Sequence, residues 1–313
     1  MKKTSAKNKK LIYMLVVLVI AVITSIGSSQ GWWGDLSEDP GNTFGDYTQS
    51  NESIDNIKDF SVHFIDVGQG DCTLVMCGEM SMLIDAGENG HETEVLNYLR
   101  SMKIDKLDYI IATHQHSDHI GGIPEVLDEF EADNIIMPRL TKEQTPTNST
   151  YTAFLKALQN SDAKIISAKP GSKYQLGNAE FEILGPVTDD CEDINSMSAV
   201  TKITYGENSF LVTGDAEKDE ELEIIENGAN IDCDVLRVGH HGSSTSSCKD
   251  FLDAVSPEIC VISCGENNDY GHPHDKVVKR IANYTDEVYR TDICGSIVMT
   301  SDGKNIDISY ENE

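Results

Sequence analysis

A run of metal-binding side chains directly follows an apolar stretch that is typical of a buried β-strand. The stretch Leu107–Ala112 is largely apolar, and it is followed within a few positions by His114, His116, Asp118 and His119. Imidazole and carboxylate groups are the ligands that zinc and similar divalent ions bind in proteins. His114 and His116 point to the same side if the segment is extended, because side chains alternate along a strand. Asp118 and His119 lie at the turn into the next predicted helix, so this one segment predicts contacts to two adjacent metal ions.

Further candidate ligands stand at the ends of other predicted strands. Each of them follows an apolar run after a glycine or a short loop: Asp215, the pair His240 and His241, and the pair His272 and His274. Together with the first segment, these places contain seven of the nine histidines in the chain, which chance clustering does not explain. Strand ends at one edge of a layered sheet protein converge on a cleft, so we expect these side chains to meet.

Short apolar strands and amphipathic helices alternate in two batches along the chain. The first batch includes a strand over Ser61–Val67 and a helix over Thr93–Met102. The second includes a strand over Ser209–Thr213 and an acidic helix over Glu217–Asn227. This pattern predicts an α/β protein in which two sheets pack face to face with helices on the outside.

The N-terminal part of the chain has a different character. Residues 1–10 are basic, residues 11–28 are mostly apolar, and residues 29–58 are polar and acidic. Lysines before a short apolar run predict either a signal peptide or a single membrane anchor, and the sequence does not decide between them. Trp32 and Trp33 suit a membrane interface. We therefore predict a flexible linker over residues 29–58 and an extracytoplasmic domain over residues 59–313.

The charge balance limits the partners that the chain can bind. The formal net charge is −29, which repels phosphate backbones unless metal ions or a local basic patch offset it. Tight binding of duplex nucleic acid is therefore not expected, although a metal site can still engage a phosphodiester. The sequence gives no indication of the oligomeric state.

The central motif and its flanking segments resemble the metallo-β-lactamase superfamily. The segment His114–Gly122 has the superfamily pattern His-x-His-x-Asp-His-x-Gly-Gly. Five flanking segments are similar to the ComEC/Rec2-type branch and to phosphorylcholine esterases: Phe64–Asp71, Leu83–Gly87, Thr213–Glu217, Val238–Ser243 and Tyr270–His274. The resemblance covers about residues 60–310. It implies a four-layer αβ/βα sandwich and an exported hydrolase.

The resemblance also implies a site for two divalent metal ions, with Zn²⁺ as the first choice and Mn²⁺ as the second. The expected ligands are His114, His116 and His241 for the first ion, Asp118, His119 and His272 for the second, and Asp215 as a bridge. No histidine lies between His119 and His240, where many superfamily members have a ligand. The choices of His241 over His240 and of His272 over His274 therefore remain open.

Several other residues are expected near the ions. His240 and Asp118 are the candidate catalytic residues, with His240 stabilising the phosphorus centre or protonating the leaving oxygen. Asp85 is expected to orient a ligand. Asn195 fits an ordinary loop and a substrate contact equally well, and His274 is an alternative to His272. Asp71 fits either the floor of the site or a turn.

The favoured activity is hydrolysis of a phosphodiester, in DNA or in a cell-envelope polymer. Two alternatives stay open. One is a non-catalytic, metal-stabilised module that binds envelope components, and the other is a hydrolase of β-lactams or other esters. A complete set of ligands for two ions favours catalysis, because structural zinc sites are usually closed by four protein ligands.

Overall fold

The computed structural model describes residues 60–188, 191 and 193–312. The predicted basic region, the apolar segment and the acidic linker of residues 1–58 lie outside these ranges. None of the helices within the described ranges is both long enough and apolar enough to cross a membrane.

The described residues form two sheets and several helices. The strands are β1 (Phe60–Phe64), β2 (Thr73–Cys77), β3 (Met80–Ile84), β4 (Lys106–Ile111), β5 (Glu131–Met137), β6 (Lys164–Ser167), β7 (Lys173–Leu176), β8 (Ala179–Ile183), β9 (Thr201–Tyr205), β10 (Asn208–Val212), β11 (Val235–Arg237), β12 (Ile259–Ile262), β13 (Val288–Arg290), β14 (Ile297–Ser301) and β15 (Ile306–Tyr310). The helices are α1 (Glu92–Ser101), α2 (Ser117–Ile120), α3 (Ile123–Glu129), α4 (Ser149–Asn160), α5 (Lys218–Glu226), α6 (Lys249–Val255), α7 (Asp275–Ile281) and α8 (Thr291–Cys294).

The two sheets repeat one topology. The first sheet has the strand order β15-β14-β1-β2-β3-β4-β5-β6, and the second has β13-β12-β11-β10-β9-β8-β7. Strands β3 to β6 of the first sheet are parallel to one another, and so are strands β10 to β13 of the second sheet. The remaining neighbours are antiparallel. The carboxyl ends of the parallel strands carry the predicted metal ligands.

Three hydrophobic clusters separate four layers. The central cluster lies between the sheets and includes Phe60, Phe181 and Phe210, all fully buried. Burying a side chain of this size stabilises the fold by about 1.5–3 kcal/mol. Two outer clusters pack helices onto the sheets, with Phe154 of α4 on the first and Leu252 of α6 on the second. The predicted four-layer αβ/βα sandwich is thus confirmed.

Local sequence accounts for several element boundaries. The side chain of Asn148 caps α4 by accepting a hydrogen bond from the backbone N–H of Tyr151 at 2.8 Å. Pro124 lies in the first turn of α3, where a missing N–H costs nothing. Most predicted strands and helices are found within three residues of their expected ends, but the strand β7 and the helices α2, α6 and α8 were not predicted. Within the described residues, no disulfide joins any of the cysteines.

Candidate metal centre

The ligand segment after β4 closes into a single helical turn. The backbone N–H of His119 donates to the carbonyl of His116 at 3.2 Å, and Ala86 N–H donates to the carbonyl of His119 at 2.8 Å. Asp118 and His119 therefore lie within α2 rather than on the turn before a longer helix. Position 122 is occupied by glycine, because a Cβ there would lie 2.2 Å from the carbonyl oxygen of Ala86.

His114, His116 and Asp215 form the first group of candidate ligand atoms. Nε2 of His114 lies 3.0 Å from Nδ1 of His116 and 3.9 Å from Oδ2 of Asp215. His114 and Asp215 are buried, and His116 is partly exposed. We call these three residues the first ligand group.

Asp118, His119, Asp215 and His241 form the second ligand group. Nε2 of His119 lies 3.3 Å from Oδ1 of Asp215 and 3.9 Å from Oδ2 of Asp118. Nε2 of His241 lies 3.2 Å from Oδ2 of Asp118 and 3.6 Å from Oδ1 of Asp215. Asp215 therefore presents one carboxylate oxygen to each group.

The spacing and the hydrogen bonding of these atoms fit two divalent ions. Ligand atoms about 2.1 Å from a tetrahedral zinc ion lie about 3.4 Å apart, close to the observed separations. Nε2 of His119 and Oδ1 of Asp215 are buried and have no hydrogen-bond partner in the described structure. Such atoms are rarely left unpaired unless an ion or a water binds them. We infer that the two groups are built to hold cations.

Asp85 holds His119 in its ligand orientation. Its Oδ2 lies 2.7 Å from Nδ1 of His119, and both carboxylate oxygens accept hydrogen bonds from Thr113. The 2.7 Å separation is a hydrogen bond and leaves no room for an ion between the two atoms. The prediction that Asp85 orients a ligand can therefore be made specific to His119.

The adjacent histidines after β11 point in different directions because both have left-handed backbone conformations. The φ angles are +50° for His240 and +53° for His241, a conformation that costs roughly 1–3 kcal/mol for residues other than glycine. His241 Nδ1 lies 3.0 Å from the carbonyl oxygen of Ser263, so its Nε2 is free to face Asp118. His240 Nε2 instead lies 3.6 Å from Oδ2 of Asp215.

Comparison with known proteins identifies the family. A sequence profile described as "Metallo-beta-lactamase superfamily" matches residues 65–266. The chain belongs to the metallo-β-lactamase superfamily. It is 32% identical over 254 residues to "ComE operon protein 3" of Bacillus subtilis, covering 75% of this chain and 32% of that protein. It is 31% identical over 243 residues to "Recombination protein 2" of Haemophilus influenzae, covering 76% and 28%.

The chain thus spans about a third of the length of these competence-type superfamily relatives. A shorter match joins 39% of this chain to 43% of "Exodeoxyribonuclease YycJ" of Bacillus anthracis, at 29% identity over 125 residues. Among solved structures, the "CmlA beta-hydroxylase E377D mutant" has a TM-score of 0.51 at 14% identity, covering 79% of this chain and 54% of that one. This last likeness concerns the fold alone.

The grouping of ligand atoms in the described structure differs from the assignment of His241 and His272 to the two ions, and that assignment stays a prediction. His241 was expected with His114 and His116, but it lies with Asp118 and His119 in the second ligand group. His272 was expected at the second ion, but it is outside both groups, with its ring centre 6.0 Å from that of His241. His241 has a left-handed backbone conformation, and its Nε2 lies 3.2 Å from Oδ2 of Asp118.

Three further predicted residues surround the groups without joining them. His240 Nδ1 lies 3.2 Å from Oε1 of Glu217, and Asn195 donates to the same oxygen at 3.3 Å. His274 Nδ1 accepts a hydrogen bond from the backbone N–H of Ser244 at 2.9 Å, which holds the loop after His241. Asn195 and Glu217 therefore support His240, and His274 supports the loop.

Burial and neighbouring charges shift the pKa values of the site histidines in opposite directions. Burial and the nearby His119 hold the pKa of His114 well below its usual range, and burial also lowers the pKa of His116. Burial alone would lower the pKa of His119 as well, but the surrounding carboxylates of Asp215, Asp85 and Asp118 raise it well above its usual range. The carboxylates around His119 thus favour positive charge at this position.

Arg237 is part of the site's surroundings and was not singled out from the sequence. It is fully buried and donates to Asp71 Oδ1 and, at 2.6 Å, to the carbonyl oxygen of Gly214. The available signal was a charged residue inside the apolar strand Val235–Val238, directly before the histidine pair. A charged side chain in such a strand is rarely buried unless it is paired.

Proposed function

We propose that this chain is an extracytoplasmic hydrolase that uses two divalent metal ions to cleave phosphodiesters, in DNA or in a cell-envelope polymer. The observation that carries the proposal is the position of Asp215, whose Oδ2 lies in the first ligand group and whose Oδ1 lies in the second. A carboxylate shared in this way can hold two ions side by side, as in two-metal hydrolases. The first group has three ligands, which leaves a position for substrate, whereas structural zinc sites are usually closed.

Zn²⁺ is the first choice of metal because imidazole ligands suit it, and Mn²⁺ is the second. Two such ions supply Lewis-acid activation and stabilise negative charge on phosphate oxygens. Asp118 has the most exposed side chain of the second ligand group, 24% against 2% or less for its other members. We therefore assign to Asp118, besides metal binding, the acceptance of a hydrogen bond from the attacking water.

His240 is proposed to act on the substrate. It lies outside both ligand groups. Its Nδ1 lies 3.2 Å from Oγ1 of Thr245 and 3.2 Å from Oε1 of Glu217, and its Nε2 lies 3.6 Å from Oδ2 of Asp215. Placed in this way, His240 can donate a proton from Nε2 to the leaving oxygen.

Two observations support a phosphodiester as the substrate. The sequence resembles the ComEC/Rec2-type branch, and one partial relative is named as an exodeoxyribonuclease. The net charge of −29 favours contact through the metal site over binding along a duplex. We expect single strands or short phosphodiesters to be better substrates than duplex DNA.

Metal analysis combined with a substrate panel tests the proposal. The full chain is loaded with Zn²⁺ or Mn²⁺ and assayed with bis(p-nitrophenyl) phosphate, single-stranded and duplex DNA, a choline phosphodiester and a β-lactam. We expect two bound ions and turnover of phosphodiesters, and no turnover in the Asp215→Asn variant. Two bound ions without turnover would favour a non-catalytic envelope-binding module, and turnover of the β-lactam alone would favour the other alternative.

The role of His240 has its own test. The His240→Gln variant should keep two ions but lose about 100-fold or more in kcat, the usual contribution of a positioned acid or base. His91→Gln is the matched control, since His91 is partly exposed in the loop before α1 and lies in neither ligand group. Full turnover by His240→Gln would remove His240 from the mechanism.

The extracytoplasmic location rests on the N-terminal residues. Lysines followed by an apolar run at residues 11–28 predict export, with the segment either removed or kept as an anchor. External protease added to intact cells should digest the domain. Protection of the domain until the cells are opened would contradict the proposed location.

A further inference from the structure

A buried arginine lies beside both ligand groups. Arg237 is the last residue of β11, and its side chain is the largest fully buried one in the described structure. The guanidinium group remains charged at any pH at which proteins fold. Burying a charge costs free energy unless hydrogen-bond partners compensate for the lost water. The partners of Arg237 therefore indicate its role.

The partners of Arg237 belong to both halves of the site. Nη2 donates to Oδ1 of Asp71, on the loop between β1 and β2. Nη1 donates to the carbonyl oxygen of Gly214 at 2.6 Å and lies 4.0 Å from Oδ1 of Asp215. Nη2 is also 3.3 Å from Nδ1 of His241, which bonds the carbonyl oxygen of Ser263. One side chain thus fixes the backbone before the bridging carboxylate and contacts a second ligand.

Asp71 connects the same arginine to the ligand helix α2. Its backbone N–H donates to the carbonyl oxygen of Asp118 at 3.0 Å, and its Oδ2 lies 3.8 Å from Nδ1 of His119. The chain from Asp118 through Asp71 and Arg237 to Gly214 therefore joins ligands of the first sheet to ligands of the second.

This connection matters for the second ligand group in particular. Asp118 and His119 follow β4 of the first sheet, whereas Asp215 and His241 follow β10 and β11 of the second. Two of the three members of the first group, His114 and His116, come from one segment. Only the second group needs both sheets to contribute two ligands each.

We propose that Arg237, together with Asp71, is a positioning residue that sets the distance between the two halves of the second ligand group before a metal ion binds. Its fixed positive charge also lies among the carboxylates of Asp71 and Asp215, which would otherwise repel each other when no cation is present. The proposal rests on the metal binding assigned above, but not on the choice of substrate.

Metal affinity measured for each ion separately tests the inference. Arg237→Lys keeps the positive charge but cannot donate to Asp71 and Gly214 in the same fork. We expect the Zn²⁺ ion of the second ligand group, which is the ion that an Asp118→Ala variant should lose, to dissociate about 10–100-fold more readily in competition with a chromophoric chelator. The other ion should change by less than about threefold. Asp71→Asn should show the same selective loss.

Two controls separate positioning from general stability. Arg100→Lys makes the same substitution in an exposed ion pair with Glu129, away from the ligand groups, and should leave both affinities unchanged. Co²⁺ absorption reports the ligand geometry of the folded molecules, and it should change in Arg237→Lys and not in Arg100→Lys. A merely structural pair would lower the melting temperature without changing this spectrum.

Two results would overturn the inference. One is an Arg237→Lys variant that is folded and binds both ions with wild-type affinity and spectrum, and the other is an equal loss at both ions. Both results leave the proposed function intact. A wild-type chain that binds no ion would instead overturn the proposed function and this inference with it.

Discussion

Nδ1 of His119 lies 2.7 Å from Oδ2 of Asp85, and this contact turns Nε2 of the same imidazole toward Asp215. We predict that Asp85→Asn weakens binding at the second ligand group by about 10–100-fold, the usual effect of losing a carboxylate that orients a metal-binding histidine. Asparagine tolerates the φ of +58° at this position, so the backbone is preserved. Chelator competition measures the effect, and unchanged affinity for both ions would contradict it.

The shared position of Asp215 predicts unequal losses of metal from two single variants. Asp215→Ala removes a ligand atom from both groups, so we expect fewer than one ion per chain after dialysis. Asp118→Ala removes a ligand from the second group alone, so we expect one ion to remain. Elemental analysis of the dialysed proteins gives the numbers. Equal metal contents in the two variants would show that Asp215 is not a bridge.

The sequence predicts the local parts of this site better than its long-range parts. His114, His116, Asp118 and His119 lie in one segment, so a strand followed by a tight turn is enough to bring them together. The partner of His241 depends on two successive left-handed residues, and side-chain alternation does not describe such a turn. The assignment of His241 to the first ion rests on the family resemblance, which does not specify the backbone conformation of this turn.

The same contrast between local and long-range information applies to the fold. The strands predicted from apolar runs are present, whereas β7 (Lys173–Leu176) alternates polar residues at a sheet edge and gives little signal. The pair of Arg237 and Asp71 is separated by 166 positions, and no pattern within either segment indicates the other. Only the packing of the two sheets brings them together.

Gly70 packs closely against the backbone of α2, so we predict that a side chain at this position disturbs metal binding. A Cβ at Gly70 would lie 2.6 Å from the carbonyl oxygen of Asp118, and a backbone atom cannot move aside cheaply. We expect Gly70→Ala to displace Asp118 and to lower both metal affinity at the second ligand group and the melting temperature. Gly90→Ala is the matched control, since Gly90 also has a positive φ but no atom of the described residues lies within 4 Å of its Cβ position. Similar metal affinity in the two variants would argue against this close packing.

We predict that protonation of His63 lowers the free energy of unfolding at acid pH, independently of the metal ligands. The side chain is buried in β1 with Tyr98 and Ser61 as hydrogen-bond partners, and burial lowers its pKa from 6.5 to about 4. Between these values the unfolded chain binds the proton and the folded chain does not. The free energy of unfolding therefore falls as the pH is lowered through this range, by up to about 1.4 kcal/mol per pH unit from this residue.

The His63→Gln variant should remove that contribution. Urea unfolding of metal-free protein at pH 4.5, 5.5 and 7 should show a smaller pH dependence in the variant than in the wild type. Tyr98→Phe is the control, because it removes one hydrogen-bond partner and leaves His63 in place, so stability falls while the pH dependence persists. The same slope in His63→Gln and in the wild type would mean that other buried groups account for the loss of stability in acid.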